Sequence, residues 1–80
     1  MAPYEVLKSY AVTLMEYNEK KNWTHSSIAL YTQDFYEDET VLDAVEAIRS
    51  IFHDLGASVV VASDGIVDPQ GIVRVSVRFV

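Results

Sequence analysis

Residues 34–56 read DFYEDETVLDAVEAIRSIFHDLG, from Asp34 to Gly56. The second half of this stretch sets the fold. Thr40 can accept the orphan N–H of the third helical residue, and Asp43 stands three positions on, as a capping box requires. From there Val41, Ala44, Val45, Ile48, Ile51, Phe52 and Leu55 recur at a spacing that puts them on one face at about 100° per residue. Asp43, Glu46, Ser50, His53 and Asp54 fall opposite. Gly56 supplies the residue that tolerates a left-handed backbone past a helix end. Start, period and stop agree, so the sequence predicts a helix over roughly 40–55.

The first half of the stretch holds the charge. Asp34, Glu37, Asp38, Glu39, Asp43 and Glu46 are six acids in thirteen residues, with no base among them. Acids and bases balance on either side, so the formal net charge of −6 resides in residues 34–46. Acids at a helix start interact favourably with its dipole, by about 0.3–1 kcal/mol each. That accounts for Asp38, Glu39 and Asp43 and leaves Asp34, Glu37 and Glu46. Two readings stand: a solvated helix entrance, or an acidic surface of all six residues that docks on a partner.

Working outward, residues 57–63 (ASVVVAS) read as a buried strand, because valine favours a pleated, packed surface. Asp64-Gly65 and Asp68-Pro69-Gln70-Gly71 are turn signals. Residues 72–80 alternate, with Val73, Val75, Val77 and Phe79 one way and Arg74, Ser76 and Arg78 the other. They form a strand with one wet face. Upstream, HSSIALYTQDFY (25–36) reads as a strand with Ile28 and Leu30 on one side and Ala29, Tyr31 and Phe35 on the other. Residues 4–17 fit two patterns. As a helix, Leu7, Tyr10, Ala11, Leu14 and Met15 share a face behind Pro3. As a strand, Tyr10, Val12 and Leu14 alternate with Ala11, Thr13 and Met15. The strand is preferred, because NEKKN (18–22) then closes a hairpin with residues 25–35. The expected fold is a single α+β domain over residues 1–80. Its one amphipathic helix packs on an antiparallel sheet in the order ββαββ, with αβαββ as the alternative.

Eighty residues bury a modest core, and with no cysteine there is no covalent staple. A homodimer is expected on that ground, through sheet faces or the edge of the apolar last strand. There is no apolar run of membrane-spanning length and no basic-then-apolar leader, so a cytoplasmic, non-membrane protein is expected. An acidic chain with six scattered bases is a poor match to phosphate backbones, so nucleic acid is an unfavoured partner.

Reaction chemistry finds little to work with. His25 and His53 are the two histidines, and neither has a metal-ligand neighbour at fixed spacing. Ser26 and Ser27 follow His25, but adjacent side chains on a strand point to opposite faces. Gly56, Gly65 and Gly71 are too dispersed for a phosphate loop. No catalytic residue, metal or cofactor is therefore assigned. Two surfaces remain. The acidic run suits a protein partner with a basic groove, which makes the chain a non-enzymatic inhibitor or adaptor. The alternative is a nucleic-acid or small-ligand site on a sheet face bearing Tyr17, Tyr31, Arg74 and Arg78, since Tyr and Arg stack on bases and anchor interfaces alike. Trp23 is expected to cap the core, with an exposed anchor as the alternative.

Overall fold

The computed structural model describes residues 3–80. The elements run α1 (Tyr4–Lys21), β1 (His25–Tyr31), a 3-10 turn at Thr32–Asp34, α2 (Val41–Asp54), β2 (Val59–Ala62) and β3 (Ile72–Phe79). The three strands form one antiparallel sheet in the order β1-β3-β2. This is the αβαββ order, and the preferred ββαββ reading is corrected by it.

The reason lies at the ends of α1. The carbonyl of Pro3 accepts from the N–H groups of Val6 and Leu7, which opens the helix. Glu5 occupies the first turn and Lys20 and Lys21 the last, each sign placed where the helix dipole favours it. Asn22 then takes a left-handed conformation at φ 56°, and its N–H bonds back to Asn18. So NEKKN is mostly the last helical turn and not a hairpin loop. Residues 9–17 are therefore helical, and β1 finds its partner in β3, pairing along its whole length from His25↔Arg78 to Tyr31↔Ile72.

Both helices lie on one face of the sheet. Leu7 and Ala11 of α1 meet Ala44, Val45, Ile48, Ile51 and Phe52 of α2 in a core floored by Ile28, Leu30, Val61, Val73, Val75 and Val77. The buried set of α2 is the predicted face, and the predicted capping box is made: Asp43 N–H donates to Thr40 Oγ1 at 3.2 Å, and Thr40 N–H to Asp43 Oδ2 at 2.8 Å. Gly56 ends α2 at φ +80°, its N–H bonded to the carbonyl of His53. In α1 only Leu7 and Ala11 are fully buried, with Leu14 and Met15 packed against the core edge. Tyr10, placed by its spacing with that stripe, stays exposed.

Two further expectations are revised. Trp23 is outside the core and 51% exposed, its ring 5.0 Å from that of Tyr17 with the Lys21 ammonium over both. The last strand has no free edge, because β3 is central and pairs on both sides. The predicted turn at 68–71 is present, with Gly71 N–H donating to the Asp68 carbonyl at 2.9 Å. Among the described residues no helix is long and apolar enough to cross a membrane.

Candidate functional site: an acidic end with apolar anchors

Consecutive elements alternate in direction, so the molecule has two ends. The C-terminus of β1, the start of α2 and the turns beyond β2 share one end. Val41, Leu42 and Val45 line a groove with Ala62, Ser63, Asp64 and Gly65 there. Pro3, Val6 and Tyr10 of α1 line another with Tyr31, Asp34 and Phe35. This end gathers Asp34, Glu37, Asp38, Glu39 and Asp43 from the predicted run and adds Asp64 and Asp68 from the turns. Glu46 lies one helical turn further along α2. Lys20, Lys21, His25 and Arg78 lie at the opposite end.

The six predicted acids are not equivalent. Asp43 is committed to the capping box, and Glu39 accepts from the N–H of Tyr36 at 3.1 Å. Both therefore shape the helix entrance. Asp34 closes the 3-10 turn beside the Tyr10–Tyr31 groove. Glu37 and Asp38 occupy the exposed turn that precedes α2, and Glu46 stands on its exposed face. Asp68, which is outside the predicted run, accepts from the N–H groups of Gln70 and Ile72 at 2.8 and 3.0 Å. The Ile72 hydrogen bond, outweighing the opposing desolvation and helped by Gln70 and Arg74, lowers its pKa from 3.8.

Among the described residues, the most exposed apolar side chains at this end are Tyr36 at 73%, Leu42 at 64% and Ile66 at 68%. None was singled out from the sequence. Leu42 had a legible signal, since it is the one large apolar residue of α2 that the 100° period leaves off the buried face. It shares its strip with Glu46 one turn on. Ile66 had none, because a lone apolar residue in a turn segment is ordinary.

The Tyr/Arg sheet face is split. Tyr17 lies on α1, against Trp23, and not on the sheet. Tyr31, Arg74 and Arg78 do share the open face, together with His25, Ser27, Ala29, Val60, Ala62 and Ser76 by register. Arg74 is drawn to Asp68, with 3.5 Å between Nη1 and Oδ2. The middle of the face is made of Ser27, Ser76 and Ala62, which offer small contact area. His25 and His53 stand on separate elements, and among the described residues no group of three or more His, Cys, Asp or Glu could hold a metal ion.

Comparison with protein-family models, with curated proteins and with solved structures finds no match to this chain.

Proposed function

We propose that the chain is a binding protein, an inhibitor or adaptor, that docks its acidic end on a basic and partly apolar surface of a protein partner. The observation that carries this reading is the placement of Tyr36, Leu42 and Ile66 in water among the acids of one end. Apolar anchors supply most of the binding free energy at an interface, and the charges around them set encounter rate and orientation. A helix entrance alone asks for acids near Thr40. It does not ask for an exposed leucine and isoleucine beside them.

Glu37, Asp38 and Glu46 then act as steering charges, and Leu42 and Ile66 as anchors. The two roles separate kinetically. Replacing the steering acids with Glu37→Gln, Asp38→Asn and Glu46→Gln slows association with a captured partner by about tenfold at low salt and flattens the salt dependence. Leu42→Ser and Ile66→Ser instead speed dissociation. Association that is unchanged by the acid substitutions at low salt removes the acidic end as the docking surface.

A further inference from the structure

The two edges of the sheet differ. β2 is four residues long, and its outward carbonyl at Val61 accepts from the Arg49 guanidinium at 3.1 Å. β1 is seven residues long. Hydrogen-bonded and non-bonded pairs alternate along an antiparallel ladder. Phe79 N–H donates to the Thr24 carbonyl and Thr32 N–H to the Gly71 carbonyl, so the even-numbered residues of β1 face β3. The N–H and C=O groups of Ser27 and Ala29 therefore point off the free edge. Beside them runs an open groove of about 350 Å³, lined by Tyr10, Thr13 and Leu14 of α1 and by Ser27, Ala29 and Tyr31 of β1. Among the described residues nothing pairs with this edge, and an uncovered edge of this length is a template for another strand.

We propose that this edge joins two copies of the chain through antiparallel β1–β1 pairing, making one six-stranded sheet. Charge selects the occupant. The lining of the groove carries no charged side chain, so two chains of net charge −6 meet there where repulsion is least. Antiparallel pairing also sets the molecules head to tail. The acidic end of each copy then lies alongside the end of the other that bears Lys20, Lys21 and Arg78. A two-fold axis at Ile28 overlaps all of β1 and is self-complementary, as an isologous dimer requires. It pairs Ser27 with Ala29 of the second copy and Tyr31 with His25. It also brings Asp34 level with Asn22, next to Lys21. Leu42, Glu46 and Ile66 lie on the β2 side, so the dimer leaves the proposed docking end open and presents it twice.

Sedimentation equilibrium of the full chain, run from micromolar to millimolar concentration at low salt, tests this. The wild type is expected to reach twice its 9.0 kDa mass. Ser27→Pro removes an N–H that β3 does not use and that proline can lack on an edge strand. It is expected to stay monomeric while its circular dichroism is unchanged. Lys21→Glu, which leaves the edge intact, is expected to weaken the dimer and reduce its salt dependence. A wild type that is monomeric throughout overturns the proposal, as does a folded Ser27→Pro variant that still dimerises. Loss of partner capture by Ser27→Pro with a monomeric wild type assigns the edge to a foreign strand and also overturns it.

Discussion

The two helices do different work. α2 has fourteen residues and buries five side chains completely; α1 has eighteen and buries two. α2 begins on a reciprocal cap and α1 on Pro3 with no side-chain cap. α2 is held between α1 and β2, with Phe52 fully enclosed and set edge-on to Phe79 at 5.8 Å. α1 lays a narrow stripe of Leu7, Ala11, Leu14 and Met15 on that frame and leaves Tyr4, Val6, Tyr10 and Val12 in water. In a domain this small the interior cannot use every apolar residue. Of what α1 leaves outside, Val6 and Tyr10 border the β1 edge, and what α2 leaves outside, Leu42, borders the acids.

Truncation at the two helices gives the widest contrast. Phe52→Ala is expected to cost about 3–5 kcal/mol and to leave the chain largely unfolded at 37 °C, since whole domains have only about 5–15 kcal/mol to lose. Leu7→Ala is expected to cost about 2 kcal/mol, the low end for a buried leucine, because α1 is held on one side and can settle into the space. Urea denaturation measures both. Equal losses break the distinction between the helices.

The caps sharpen it. Thr40→Ala removes the side-chain acceptor for Asp43 N–H and is expected to cost about 1 kcal/mol by the same denaturation. Replacing Glu37, Asp38 and Glu46 by their amides is expected to change stability by less than about 0.5 kcal/mol, as at exposed sites generally. Acids with a duty in the fold are thereby separated from acids without one.

The smallest effect lies outside both helices, at Asp68. Its folded pKa is lowered by the Ile72 N–H foremost. A depressed carboxylate stabilises the fold fully above its unfolded value, near 3.8, and that contribution fades as pH falls through the lower folded value. Asp68→Asn is expected to lose part of this acid dependence in melts between neutral pH and pH ~2.5. An unchanged dependence would show that the turn hydrogen bonds do not depend on the carboxylate charge.

The same contrast decides what was legible in the sequence. α2 could be read because cap, period and glycine stop all pointed one way. β3 could be read because its valines and arginines alternate about a half-wet sheet. α1 could not, because Tyr10, Val12, Thr13 and Tyr17 favour strands locally and tertiary packing overrules them. The deciding marks were terminal: Lys20, Lys21 and the left-handed Asn22 sit in a segment that also reads as a turn. The acidic run was plain in the sequence. Its division was not, because Glu39 and Asp43 are distinguished from Glu37 and Asp38 only by the backbone N–H groups they reach. Tyr17 and Tyr31 were wrongly joined on one face by the same misreading of α1.

α2 and the sheet form the frame, while α1 is the more weakly held addition whose outer face is spare for contacts. Hydrogen exchange resolved by residue tests it most directly. Amides of Val45–Phe52 and of Val73–Val77 should exchange only by global unfolding, with those of α1 opening at a distinctly lower free energy. Equal protection of α1 and α2, or earlier opening of α2, would contradict the account.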